Sequence, residues 1–435
     1  MSERMVVIGG GAAGMSAASA ARRTDPQLDV VVLEATSHIA YGLCGLPYYL
    51  SGVVPTADDL FAYPLDRFTK NRGIDVRTAA VATELDAEGR WVHYRQGDRT
   101  HRLSYSTLVV TAGASPVHVA VPEIGADRTF AVRTLEEAIA LRGLLDAGKV
   151  GSALVVGAGY IGLEMAEALV ARGCSVTVVE RLDQVLPTLD PEPAAVVEEH
   201  VRRHVDLRLG TDATAPGLPA FDLAVVSVGV RPAATLAAAA GAETGPAGAL
   251  VVDEGMRTSV PGIWAAGDCI APRHRVTGQP AYVPLGTTAN KTGRVAGIVA
   301  AGGAASFAGI VGTAVVKVFD LEVARTGLTL VEALAAGIPA LATEVVHRSR
   351  AKYYPGGSPL HVRLVHGPEG RLLGAQMVGC EGAAQRIDVI ATALQVGMSV
   401  GDLATLDLAY APPYSPVYDP IIVAAESAAR REEAS

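Results

Sequence analysis

The chain of 435 residues is half hydrophobic, sparing in aromatics and rich in glycine, with a formal net charge of -9. That length exceeds one ordinary core and fits two to three domains, and the composition is that of an α/β protein whose small residues let helices and sheets approach closely. The negative balance, with no cluster of Lys and Arg interleaved with aromatics, offers no basic field to a phosphate polymer and argues against nucleic acid as a partner.

The chain opens with MVVIGGGAAG, which predicts a strand over residues 5–8 and then Gly9, Gly11 and Gly14 at GxGxxG spacing. A helix through Arg22 and a second strand, DVVVLEA, closing on Glu34 follow. Glycines at these positions allow a tight turn, let the main chain approach a pyrophosphate and let helix meet sheet, while the helix start offers free N–H groups; the terminal acid accepts hydrogen bonds from a ribose. An apolar start that is already a strand leaves no room for a cleavable signal peptide. The same unit recurs in SALVVGAGYIGLEMAEALVARGCSVTVVE, with Gly157, Gly159 and Gly162 in the turn and Glu180 closing the second strand. One chain therefore carries two dinucleotide sites. The carboxylate of Glu180 would repel a 2′-phosphate and favours NADH, although Arg181 beside it leaves NADPH open.

Two later segments, LVVTAGASP with Thr111, Ala112 and Gly113, and TSVPGIWAAGDC with Asp268, resemble the returning segments of flavoproteins built from two dinucleotide domains, in which the Asp holds the ribityl chain. That resemblance makes the first unit the FAD site and the second an inserted NAD site. A helix over 285–297 would aim its N-terminal amides at the flavin ring. Residues 295–316 carry no charge and are long enough to span a bilayer, but five glycines with Ser306 and Thr313 make a helix end, a linker and a buried strand the better reading.

Four cysteines, Cys44, Cys174, Cys269 and Cys380, lie far apart with no CxxC pair and no metal-ligand spacing, so no metal is expected and a reducing cytoplasm is the natural setting. Cys44, in HIAYGLCGLPYYLSG, precedes Gly45 and Pro47 at the start of a short helix, where a thiolate is stabilised. Two-cysteine disulfide reductases carry a second Cys five positions away; here those positions are Ile39 and Tyr49, which forces a one-cysteine mechanism. The other three cysteines sit in apolar or glycine-rich surroundings and read as packing residues.

YGLCGLPYYLSG, GAGYIGLE, the YYPG at 353–356 and DLAYAPPYSPVYDP together resemble the coenzyme A disulfide reductase family of single-cysteine pyridine nucleotide-disulfide oxidoreductases, over essentially the whole chain. The resemblance implies two Rossmann-like dinucleotide-binding domains and a C-terminal α+β dimerisation domain. The expected division is 1–116 and 250–306 for FAD, 117–249 for NAD(P), and 307–435 for the interface of a homodimer. It implies a cycle in which NADH, or NADPH, reduces FAD, and Cys44 alternates between thiolate and a mixed disulfide with coenzyme A. Tyr410 and Tyr353 or Tyr354, reaching the partner's site, would serve the departing sulfur. Glu164 and Tyr160 would border the nicotinamide. The expected cofactor contacts further include Ala12, Ala13, Ala35, Val81, Arg133, Ile161, Gly229, Gly267 and Ala289, and the substrate contacts Ser16, Arg22, Arg23, Tyr41 and Leu43, with the two arginines as a phosphate clamp. Single-cysteine peroxidases carry a His in the first glycine turn, where this chain has Ala12 and Ala13. Two alternatives stay open: an NADH oxidase or coenzyme A-dependent polysulfide or persulfide reductase on the same scaffold, and an electron-transfer flavoprotein reductase serving a protein partner.

Overall fold

Three five-stranded sheets organise the chain in this computed structural model, which describes residues 3–122, 124–215 and 218–433. The first is wholly parallel, in the order Ile263–Ala265, Thr107–Val110, Arg4–Ile8, Asp29–Leu33, Asp75–Arg77. Its central strands are continuous runs of buried Val, Ile and Leu, the composition a sheet covered on both faces requires. Val6 pairs with Val31 on one side and Leu108 on the other. Helix Ala12–Thr24 lies against helix Gly286–Ala300 almost backbone to backbone: a Cβ at Gly293 would come within 2.2 Å of the Ala13 carbonyl, and one at Gly297 within 2.1 Å of that of Ala17. A three-stranded antiparallel meander, Ala80–Asp86, Trp91–Gln96 and Arg99–Ser104, lies between the third and fourth strands of the sequence.

The second sheet repeats the plan, parallel in the order Asp206–Arg208, Ser175–Val179, Ser152–Val156, Leu223–Val226, Thr129–Phe130. The third is antiparallel: Ala314–Val318, Leu321–Gly327, Leu372–Gly379, Pro359–His366, Leu341–Arg348, backed by helices Ala383–Val396 and Pro420–Glu433. Fully buried Asp190, which opens helix Pro191–Val201, ties the second unit to this third sheet. Its carboxylate accepts from Gln376 Nε2 at 2.6 Å, Arg363 Nε at 3.1 Å and the Leu330 amide at 3.0 Å. A buried carboxylate is tolerated because every lone pair finds a donor.

The uncharged 295–316 stretch is, as expected from its glycines, the end of helix Gly286–Ala300, a linker and the start of strand Ala314–Val318. No helix among the described residues is long and apolar enough to cross a membrane.

Candidate active site

The two glycine turns are near copies. Gly9 and Gly157 have φ of +104° and +102°, and a Cβ on either would collide with a carbonyl, that of Thr111 at 2.2 Å or that of Ser227 at 2.6 Å. The hydroxyls of Thr111 and Ser227 each donate to the last carbonyl of the adjoining strand, Ile8 at 2.8 Å and Val156 at 3.1 Å. Gly14 and Gly162 press on the carbonyls of Gly9 and Gly157. Glu34 and Glu180 reach back across the turns, accepting from the amides of Gly10 at 2.6 Å and Ala158 at 2.9 Å. Gly11 and Gly159 differ from these structural glycines: both have ordinary negative φ, and a Cβ on either would meet nothing within 4 Å. Nothing in the chain's own packing demands glycine there. A ligand that must reach the helix amides does.

Around the first turn, Ala13 and Ala289 are buried, Ala12 and Ala35 are exposed, and Val81 is half-buried on the meander. Gly267, at φ +83°, would carry a Cβ 2.8 Å from that of Ala13. Around the second, Ile161 is exposed, the Tyr160 hydroxyl accepts from that of Thr188 at 2.9 Å, and Gly229, at φ +105°, lines open space.

Cys44 lies in a 3-10 turn, Leu43–Gly45, immediately before helix Leu46–Ser51. Its side chain is exposed; Cys174 and Cys269 are buried as expected of packing residues, but Cys380 is exposed just past the end of strand Leu372–Gly379 and does not fit that expectation. Residues from both halves of the chain act on it. The surrounding protein strips water and pushes the thiol up, the carboxylates of Glu164 and Asp268 push the same way, and the Arg133 guanidinium opposes them. The expectation of a stabilised thiolate therefore meets an opposing field here, because two acids raise the thiol and the one arginine that opposes them is bonded to Asp268. That arginine bonds Asp268 at 2.9 Å and the Ala114 carbonyl at 3.2 Å, across the pocket beside Gly113. Burial, with help from Glu167, raises Glu164 to about 7.

The remaining site residues divide. Ser16 donates to Asn290 Oδ1 at 3.0 Å, bridging the two paired helices. Arg22 is held by main-chain carbonyls: its guanidinium donates to Arg72, Pro26 and Leu28. The clamp reading for that side chain therefore passes to exposed Arg23, beside Arg67 and Arg72, whose mutual repulsion, after desolvation, lowers Arg72. Tyr41 and Leu43 pack on the core around Leu46 and Tyr49; burial pushes the Tyr41 hydroxyl up to about 12. Tyr353 and Tyr410 bond each other at 2.9 Å on the exposed face of the C-terminal unit, while Tyr354 is half-buried with Arg350 over its ring. Among the described residues, no hydrogen bond joins either exposed tyrosine to Cys44 of its own chain.

Sequence reasoning missed Tyr282, whose buried hydroxyl has no partner among the described residues and whose pKa burial and Asp268 raise to about 12. It also missed Tyr48, influenced by Glu164, Glu167 and Cys44, and the pair Arg67 and Arg72. None belongs to a spacing motif; the four-residue separation of Tyr48 from Cys44, across the turn that leads into the short helix, was the available signal.

The model of the pyridine nucleotide-disulphide oxidoreductase family matches residues 3–293, and that of its dimerisation domain matches residues 313–420. The chain belongs to this family. It is therefore an FAD- and NAD(P)H-dependent oxidoreductase with a dimerisation domain, and its fold is the expected pair of nucleotide-binding sheets followed by an α+β unit. It is 39% identical over 440 residues to the NAD(P)H coenzyme A polysulfide/persulfide reductase of Pyrococcus horikoshii, covering 98% of each chain. It is 30% identical over 427 residues to the coenzyme A disulfide reductase of Staphylococcus epidermidis, covering 95% of this chain and 96% of the other. The NAD-dependent persulfide reductase from A. fulgidus superposes with a TM-score of 0.94 at 40% identity, over 99% of this chain and 84% of that one. The residues present fit the family's cofactors: open Gly11 and Gly159 leave room for two pyrophosphates, and the partnerless Tyr282 hydroxyl near Asp268 awaits a polar group.

Proposed function

We propose that this oxidoreductase reduces sulfur–sulfur bonds carried on coenzyme A, with Cys44 as the attacking sulfur. The observation that carries the reading is that Cys44, one of two exposed thiols, is the one acted on by Glu164 of the second nucleotide unit and Asp268 of the first, with no second cysteine five positions away. When bound, FAD would relay two electrons from NAD(P)H to this sulfur. The Cys44 thiolate attacks one sulfur of the substrate; the S–S bond breaks, a mixed disulfide with Cys44 forms and one thiolate leaves. Two electrons then restore the Cys44 thiolate and free the second thiol. The hydrogen-bonded Tyr353–Tyr410 pair, supplied by the other subunit of a homodimer, protonates the departing sulfur.

Arg23, with Arg67 and Arg72, holds phosphates of coenzyme A, since Arg23 and Arg67 both repel the Arg72 guanidinium and an anion beside it would relieve that repulsion. Gly9, Gly11, Gly14, Glu34, Thr111, Arg133, Asp268 and Ala289 serve FAD; Gly157, Gly159, Tyr160, Glu164 and Glu180 serve NADH in preference to NADPH. The division at 116, 249 and 306 follows, as does a cytoplasmic setting suited to a free thiol.

A second reading, coenzyme A-dependent reduction of polysulfide or persulfide, is supported by the higher identity to proteins of that name, 39% against 30%. The test is steady-state NADH oxidation by the FAD-loaded enzyme with coenzyme A disulfide, coenzyme A plus polysulfide, and oxygen alone. The proposal expects either sulfur acceptor to outrun oxygen and Cys44→Ser to abolish both sulfur activities with flavin retained. Sulfur turnover by that variant, or oxygen as the preferred acceptor, would overturn it.

A further inference from the structure

We propose that His200, His204 and Asp320 form a site for a zinc-like divalent cation that clamps the second nucleotide unit to the C-terminal sheet. One nitrogen from each imidazole and one carboxylate oxygen lie within 4.8 Å of one another. The histidines are four apart, His200 in the last turn of helix Pro191–Val201 and His204 in the turn that prolongs it, so both rings emerge on one face. Asp320 comes from elsewhere in the chain, the two-residue hairpin turn between Ala314–Val318 and Leu321–Gly327.

The decisive atom is His200 Nε2. It is buried and forms an ion-pair contact of 2.5 Å with Asp320 Oδ1, without the alignment of a hydrogen bond to any described residue. A buried ring nitrogen facing a carboxylate without hydrogen-bond alignment is one whose lone pair and the carboxylate oxygen converge on a common point, as ligands of a cation do. The second ring is held in place: His204 stacks on Phe319 with centroids 4.1 Å apart and planes 9° from parallel. To present that ring, Phe319 adopts φ +55° in a turn where Asn or Gly is the ordinary choice, and its amide is fixed by Glu167 at 2.8 Å.

Two imidazoles and one carboxylate suit zinc and its later transition-metal neighbours, and too few oxygens are present for calcium or magnesium. Zinc–ligand bonds of ~2.0–2.1 Å put tetrahedral ligands ~3.3 Å apart, so the exposed Asp320 carboxylate needs to withdraw from His200 by less than ~1 Å, while the most widely spaced pair closes by at most ~1.5 Å through exposed His204 or Asp320. His204 and Asp320 are exposed, leaving a fourth position open to water. The site completes a clamp on one helix. Asp190 fixes the start of Pro191–Val201 to the C-terminal sheet, and the cation would fix its end to a hairpin of the same sheet.

The test titrates Zn²⁺, and Co²⁺ as a spectroscopic probe, into the FAD-loaded, chelator-treated enzyme and into its His204→Gln and Asp320→Asn variants; both side chains are exposed, so folding is spared. One cation per chain is expected, with Co²⁺ bands lacking sulfur-to-metal charge transfer. Each variant should weaken binding by more than the ~10–100-fold that loss of a mere supporting partner costs. No binding to the parent, binding undiminished in both variants, or a sulfur charge-transfer band would each overturn the proposal.

Discussion

The two glycine turns share their geometry and differ in what lies over them. In the first, Ala13 is 6% exposed, pinned beneath Gly293 and Gly267 of the returning chain; its counterpart in the second, Ile161, is 47% exposed. The carbonyls of the first helix touch a second helix, whereas the second turn opens to solvent. Similar sequence fingerprints thus build one walled site and one accessible site. A group that must stay suits the former, and a reactant that must come and go each cycle suits the latter.

The sharpest way to break this comparison is at the sulfur between the sites. Cys44→Ser is expected to bring disulfide turnover to background while leaving the flavin spectrum and NADH affinity intact; loss of flavin would show that Cys44 belongs to the wall instead. Next come the glycines. Gly9→Ala and Gly157→Ala should each destabilise the chain by several kcal/mol, because a Cβ there meets a carbonyl at φ above +100°. Gly11→Ala and Gly159→Ala should leave the melting temperature nearly unchanged and separate by ligand: the first lowers flavin content, the second raises KM for NADH by about tenfold or more. Asp190→Ala, outside both turns, leaves Arg363 its pairs with Glu192 and Glu344 but removes the acceptor of Gln376 Nε2 and the Leu330 amide, and should cost about 1–3 kcal/mol for each buried donor left unpaired, read in urea unfolding.

A smaller effect concerns Glu164, raised from 4.5 to about 7. An acid whose folded pKa lies above its unfolded one binds its proton more tightly when folded, so its contribution to stability is full below pH 4.5 and is lost as pH rises to about 7. Glu164→Gln should therefore match the parent at pH 4 and exceed it at pH 8, by at most ~3.5 kcal/mol at ~1.4 kcal/mol per unit. Smallest is Glu180→Ala, which should reduce the preference for NADH over NADPH by about tenfold, read as a ratio of kcat/KM. Unchanged preference would show that Glu180, bonded to the Ala158 and Leu182 amides, only braces its turn.

Features set by local spacing were legible in the sequence: both turns, their acids, the isolation of Cys44 and the broken apolar stretch after residue 295. Features set by distant contacts were not. Arg133 and Asp268 meet across 135 positions, and the two acids facing Cys44 come from different units. A short helix start was therefore a poor guide to the thiol's field. Arg22 looked free on its helix because the carbonyls that hold it belong to the following loop and to Arg72. The four-residue spacing of His200 and His204 was visible in the sequence, but its completion by Asp320 was not, since that residue comes from a hairpin more than a hundred residues later.

The split construction of the first sheet bears on how the protein is born. Its edge strand Ile263–Ala265 and its covering helix Gly286–Ala300 leave the ribosome long after Arg4–Ile8, whereas the second sheet is contiguous and is complete once Leu223–Val226 has emerged. The inserted unit can thus mature while the N-terminal strands still show an unpaired apolar edge, and that waiting edge is where a nascent chain is most exposed to aggregation and most in need of chaperone cover.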